Sequence, residues 1–417
     1  MTIEKYSMGI GDRFEHQGSA QLAAFVEARK RGVEVVPVWN KSNREHLIIG
    51  TKPSNVRTEA DSAVKELGWR HSYYVDADHV GIGNVDGFIE PSNYFTLDVA
   101  DFIGKPPAGD ELARFVRTWK KYAGNIKVPR IEESFTVTEA TIEDVGRKYL
   151  FAVREAGKTY RHIETRKGKG NFVTEVSMDE TDAPQSPIEL FFILGALAEE
   201  SVPLQTIAPK FTGKFLKGVD YAGDLRRFEK EFEQDVAVIA FAAKEFSLPG
   251  NLKISVHSGS DKFSIYPAVN RTIRKLDAGL HLKTAGTTWL EEVIGLAKTG
   301  GNGLTMAKEI YAESYRRFDE FAKPYRTVIE IDAAKLPAPE TVGRWSADDF
   351  VRALQHDRTC PSYNTSLRQL IHIGYKVAAE MGPRFLEALE GSKNTVAPGV
   401  TENLFTRHLE KIFLNGD

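Results

Sequence analysis

Residues 252–284, LKISVHSGSDKFSIYPAVNRTIRKLDAGLHLKT, decide the fold. Leu252–His257 is a short apolar and β-branched run that ends in a polar loop, His257-Ser258-Gly259-Ser260-Asp261-Lys262. After an apolar stripe at helical spacing, a second strand follows at Leu280–Thr284 and carries His281 and Lys283. Strand, polar turn, helix and strand again is the signature of a parallel sheet wrapped by helices. The same alternation recurs upstream, with strands expected at Tyr6–Ile10, Val33–Trp39, Ser72–Asp76, Tyr94–Asp98, Asn171–Met178 and Leu204–Lys210. With the first pair this makes about eight, the number that closes a (β/α)₈ TIM-type barrel.

The intervening segments support that reading. Leu22, Ala23 and Val26, then Leu112, Phe115, Val116 and Trp119, recur at three- and four-residue steps and give each helix one apolar face for the sheet. Asp224–Phe246 behaves in the same way, and a long helix is expected over Ile142–Glu164 with Thr141 as its N-cap. Beyond the eighth strand the pattern turns mostly helical, at Leu290–Ala297, Ala307–Phe321, Ala347–Leu354, Leu367–Met381 and Glu402–Phe413, with an extra strand at Val328–Asp332. No flexible linker intervenes. Residues 1–300 are therefore expected to form the barrel and its active site, and 301–417 a helical C-terminal extension packed on it.

A chain of 417 residues with 41% hydrophobic content can bury a large core without disulfides or structural metals. Its 55 basic and 58 acidic residues leave a net charge of −3, so neither nucleic acid nor another polyelectrolyte is an expected partner. The single Cys360 excludes an intramolecular disulfide framework. No apolar leader and no membrane-spanning run is legible, so a cytoplasmic enzyme is expected, with a homo-oligomer left open.

In parallel barrels the chemistry gathers at the C-terminal ends of the strands. Here those ends are polar: Asp12-Arg13 after strand one, Asp76-Ala77-Asp78-His79 after strand three, Asp98 after strand four, Asp179-Glu180 after strand five and Lys210 after strand six. Side chains two apart share a face of a strand, so Glu175, Ser177 and Asp179 point one way, as do His281 and Lys283. Charges inside a barrel carry a severe desolvation cost unless they meet a metal, a charged substrate or one another. His79, His257 and His281, with carboxylates nearby, form an imidazole and carboxylate set suited to one divalent cation: zinc, manganese, iron or nickel. Asp76 and Asp78 have a competing role as loop caps. Arg13, Lys210, Lys262 and Lys283, with Asp12, suggest a site for an anionic substrate. The Gly9-Ile10-Gly11 and Gly81-Ile82-Gly83 pairs lack the spacing of a nucleotide loop, and His372 and Cys360 read as structural.

Seven blocks carry a wider likeness: GIGDRF (9–14), VDADHV (75–80), EVSMDETDAPQSP (175–187), APKFTGKFLKGVDYAGDL (208–225), SVHSGSDKFSIYPA (255–268), HLKTAGT (281–287) and RQLIHIGY (368–375). In content and order they resemble the tagaturonate epimerase family. The resemblance implies interconversion of D-tagaturonate and D-fructuronate, two ketouronates of hexuronate catabolism, with a divalent metal. It also implies Glu175 as an acid/base carboxylate and His257 as a metal ligand. Strand-end placement extends the ligand set to His79 and His281, and Asp78 is expected as the second proton carrier. The alternatives are another metal-dependent ketose isomerase or aldolase on the same barrel, or a non-catalytic sugar-acid binding protein.

Overall fold

The computed structural model describes residues 1–284 and 286–414. Eight parallel strands close into a barrel: β1 (Tyr6–Ile10), β2 (Val36–Ser42), β3 (Tyr74–Val80), β4 (Tyr94–Asp98), β5 (Val173–Ser177), β6 (Thr206–Ala208), β7 (Lys253–His257) and β8 (Leu280–Lys283). Each pairs with its sequence neighbours and β8 closes on β1, so the expected TIM-type barrel with C-terminal helices is the fold. Two strands sit further along the chain than expected. Asn40 and Lys41 in β2, and Asp78 and His79 in β3, look like loop residues but are strand residues.

The period of two divides each strand between two environments. Met8, Ile10, Trp39, Val75, Phe95, Leu97, Val176, Ile254, Val256 and Leu282 face outward into the main core under the helices. Val36, Val38, Tyr74, Tyr94 and Val173, with Ile3, form a separate apolar plug inside the lower barrel. Above this plug the lumen turns polar, so every charge there must find a partner within the barrel.

The connection between β4 and β5 is long. It holds a helix, Glu111–Trp119, a two-stranded antiparallel ribbon, Gly124–Ile126 with Phe135–Val137, and a 29-residue helix, Glu139–Lys167. That last helix starts earlier than expected. Thr138 is the N-cap, its hydroxyl accepting from Thr141 N (3.0 Å) while Thr141 Oγ1 accepts from Thr138 N (3.2 Å). Thr141 thus completes a capping box inside the first turn. No described helix is long and apolar enough to cross a membrane.

The tail is helical, with three corrections. The expected helix Ala307–Phe321 is divided into Gly301–Arg316 and Phe318–Ala322, and Leu367–Met381 breaks at Gly374 into Thr365–Ile373 and Tyr375–Met381. Val328–Asp332 forms no strand. Glu330 is held by a side chain instead, its N donating to Gln369 Oε1 and its O accepting from Gln369 Nε2. The tail is tightly docked: helix Thr287–Thr299 packs on helix Lys393–Glu402 through Gly295, where a Cβ would fall 2.6 Å from Val396 Cγ2 and 2.8 Å from Val396 Cα. Gly295→Ala is accordingly expected to destabilise the protein by about 1–2 kcal/mol, overpacking outweighing the better helix propensity of alanine. A urea melt showing unchanged or greater stability would contradict this close approach.

Candidate functional site

The C-terminal mouth of the barrel opens into a cavity of about 890 Å³. At its floor stands Lys283, delivered by β8 to the lumen. Its Nζ lies 2.8 Å from Asp76 Oδ2, 2.9 Å from Asp78 Oδ1 and 3.2 Å from Glu175 Oε1, with Thr96 Oγ1 at 2.5 Å. Against the opposing effect of burial, these three carboxylates push the Lys283 pKa well above its ordinary value, so it is an ammonium. Burial raises Asp76 to about 6 despite Lys283, with Asp78 and Glu175 adding to the rise. Asp78, also opposed by burial, is pulled to about 2 by Lys283 and His79. Asp76 is therefore an inward-facing lumen residue, not a loop cap.

Glu175 lies one layer lower and does not line the cavity. Its Oε2 accepts from Tyr94 Oη (2.8 Å), and its Oε1 lies 2.8 Å from His257 Nε2 and 3.2 Å from Thr96 Oγ1. Burial would raise its pKa, but Lys283 and His257 hold it well below the ordinary value. It is a hydrogen-bonded anion beneath His257, so Glu175, expected as an acid/base carboxylate, stands below the cavity lining.

Above it, His79, Asp179 and His257 bring one ligand atom each within 4.8 Å of one another. His257 ends β7, and Asp179 follows β5 two residues after Ser177, on the face that carries Glu175. His79 reaches the lumen by a different device. Strict alternation would place it opposite Asp78, but its φ of 53° and a register shift between Ala77 and Val80 bend the end of β3, and both side chains line the cavity. A non-glycine residue in this conformation stores strain, a recurrent feature of functional sites.

The three donors suit a divalent cation. His257 Nδ1 stands 3.2 Å from Asp179 Oδ2 yet is buried without hydrogen-bond geometry to any partner, as expected of two donors directed at a common point. The far side of each ring is fixed by a carboxylate, His257 Nε2 by Glu175 and His79 Nδ1 by Asp98 Oδ2 at 3.1 Å. Such outer carboxylates orient imidazole ligands and raise their basicity. Burial opposes protonation of His79, but Asp78 and Asp179 raise its pKa to about 10. The same negative field would favour a cation between the rings.

The remaining expected residues are dispersed. His281 shares its strand face with Lys283 but lies two residues, about 6.6 Å, deeper. There its Nδ1 meets Ser7 Oγ (2.9 Å) and burial lowers its pKa to about 3, so it lies apart from the donor group, in which Asp179 joins His79 and His257. Asp12 accepts from the backbone N–H groups of Phe14, His16 and Gln17 and is a loop cap outside the cavity. Lys262 is buried behind the wall, its Nζ 2.9 Å from Ser260 Oγ. Arg13 and Lys210 do line the cavity, Arg13 Nε donating to Glu45 Oε1 (2.8 Å) and Lys210 Nζ donating to Thr181 O. Tyr94 and Thr96 as partners, Asn40 on β2 and Tyr325 from the tail carry no signal in the sequence pattern, whereas Asp98 stands at a polar strand end and His372, expected to be structural, lines the cavity. For Asp179, the third donor of the group, the face shared with Glu175 is the local signal in the sequence.

A family model described as tagaturonate epimerase matches residues 1–410. A tagaturonate/fructuronate epimerase from Thermotoga maritima is 29% identical over 419 residues, a match covering 97% of this chain and 80% of that protein. Crystal structures of a fructuronate-tagaturonate epimerase from Cohnella laeviribosi align over 99% of this chain and 82% of theirs. The native form has 24% identity and a TM-score of 0.80, and a glycerol complex 23% and 0.81, a likeness of fold. With a family match running almost from end to end over a closed barrel that has a polar mouth, the chain belongs to the tagaturonate epimerase family.

Proposed function

We propose that this protein is a metal-dependent epimerase that interconverts D-tagaturonate and D-fructuronate in hexuronate catabolism, with His79, Asp179 and His257 holding one divalent cation. The observation that carries the reading is the convergence of these donors on one point of the cavity, beside Asp78 and Lys283, in a chain of this family. An imidazole and carboxylate set of this kind suits zinc, manganese, iron or nickel. When bound, the cation supplies charge stabilisation to oxygens of the substrate.

The two ketouronates differ at a carbon one removed from the carbon beside the ketone, so the carbonyl does not acidify the inverted C–H. A retro-aldol route avoids that barrier. The proton of the hydroxyl on the inverted carbon is removed, that carbon becomes an aldehyde, and the C–C bond to the neighbour of the ketone breaks, its electron pair passing toward the ketone oxygen. Rotation of the aldehyde and re-addition on its other face gives the epimer. Asp78 lines the cavity and is the proposed acceptor and donor of the hydroxyl proton. Lys283 fixes Asp78, and Glu175 fixes both His257 and Lys283, which gives Glu175 a positioning role. Arg13 and Lys210 are the proposed substrate contacts among the residues singled out from the sequence.

Proton NMR with D-tagaturonate is expected to show fructuronate with the metal-loaded protein, none after EDTA treatment, and recovery on restoring the metal. Full turnover in EDTA-treated, metal-free protein would sink the metal role. Asp179→Ala and His79→Ala should lose metal in elemental analysis while His281→Gln keeps it; the reverse pattern would restore His281 as a ligand. Asp78→Asn should lower kcat by about 10²–10⁴-fold at unchanged metal content. In deuterated water the inverted carbon should acquire no label, and label there would replace the retro-aldol route with direct proton abstraction.

A further inference from the structure

Most cations lining the cavity already have a partner: Lys210 Nζ donates to Thr181 O, and Arg13 pairs with Glu45. Lys283 faces three carboxylates, Lys214 pairs with Glu330, and the Arg44 guanidinium lies over the Tyr325 ring at 5.0 Å. Lys217 also lines the cavity, yet among the described residues its ammonium has no ion pair or side-chain hydrogen bond. The backbone around it is firmly held: Lys217 N donates to Val328 O (2.8 Å), Gly218 N donates to Ser260 Oγ (2.9 Å), and Gly218 O accepts from Arg368 Nε. A loop held by these three hydrogen bonds thus presents an unpaired cation to the substrate space.

Arg368 is itself fixed, with Nη2 2.7 Å from Asp261 Oδ2 and Nη1 donating to Leu354 O at 2.6 Å. His372 stands one turn further along the same helix face. It is only 2% exposed, it lines the cavity, and its Nδ1 has no partner. Two glycines seat the pair together. A Cβ on Gly259 would lie 3.4 Å from Lys217 Nζ and one on Gly286 would lie 2.4 Å from His372 Cε1, while Gly286 N donates to Gly259 O (3.1 Å). Lys217 and His372 therefore flank one glycine-lined corner. Arg13, 8% exposed, leaves its Nη1 without a partner on the same cavity wall. Burial, then the Arg13 and Lys217 charges, hold His372 neutral, a state in which its ring still offers one N–H donor.

We propose that Lys217 and His372, with the free Nη1 of Arg13, form the subsite for the substrate carboxylate and select a sugar acid over a neutral sugar. This rests on the ketouronate reading above. A carboxylate there would receive a charge-assisted hydrogen bond from the half-buried Lys217 ammonium and further bonds from His372 and Arg13 nitrogens that otherwise remain buried and unpaired. The tail helix that carries His372 would then be part of the specificity of the site.

The test compares kcat/KM for D-tagaturonate with that for its neutral counterpart D-tagatose, and calorimetric affinity for D-galacturonate with that for D-galactose, all on metal-loaded protein. Lys217→Met is expected to lower both acid-to-neutral preferences by about 10²-fold, while Lys217→Arg retains most of each. His372→Phe should lower them as well, by about tenfold for one neutral donor. Unchanged preferences in Lys217→Met would overturn the subsite and leave the epimerase reading intact. Wild-type protein inert toward tagaturonate would instead overturn the epimerase reading, and the galacturonate-to-galactose ratio would still decide the subsite.

Discussion

The Lys283 ammonium is the charge on which the upper barrel depends. Asp76, Asp78 and Glu175 converge on it inside a lumen closed below by Val36, Val38, Tyr74, Tyr94 and Val173. Three carboxylates at this depth would repel one another and lose hydration, a cost that only partners within the barrel can offset. Lys283 reduces both penalties, and the hydroxyls of Thr96 and Tyr94 satisfy further lone pairs. From this anchored layer the order is passed upward: Glu175 fixes one nitrogen of His257, leaving the other directed toward Asp179 and His79. The geometry of the mouth is therefore set by ionic contacts one layer below it.

The negative excess at the mouth follows from the same arrangement. Asp76, Asp78, Asp98, Glu175 and Asp179 surround His79, His257 and Lys283. Without further positive charge the imidazoles must hold protons to balance the cluster, which is the direction in which the pKa values of His79 and His257 move against burial. A divalent ion would supply that charge and release the imidazole lone pairs for coordination. Acidic lumen and histidine rim are two parts of one electrostatic arrangement.

The architecture was legible because alternation of strand and helix is a local signal repeated along the chain. Polar strand ends were harder to read. Asn40, Lys41, Asp78 and His79 resemble loop residues, and only a barrel that closes around them makes them strand residues. Period two correctly placed Glu175 with Asp179 and His281 with Lys283 on common faces, but a shared face does not fix depth, and one two-residue step removes His281 from the mouth. His79 broke the rule in the other direction, through a left-handed backbone that no pattern announces. His372 was read as structural because its relation to the barrel arises from a fold-level contact between segments remote in sequence.

A buried ion pair joins the tail to the barrel at that contact. Asp261 and Arg368 are both fully buried, and such pairs seldom add stability over well-packed apolar residues. Their directional bonds serve another end. Asp261 lies four residues after His257, and Arg368 spans from Asp261 to Gly218 O, which adjoins Lys217. One guanidinium thereby ties the loop after β7, the loop after β6 and helix Thr365–Ile373 into a single rigid corner. Apolar packing could hold these segments together, but it would leave their mutual register free to slide by fractions of an ångström. Hydrogen bonds of fixed direction remove that freedom, and a site that must both bind a small polar sugar acid and align it beside His257 needs that order of precision.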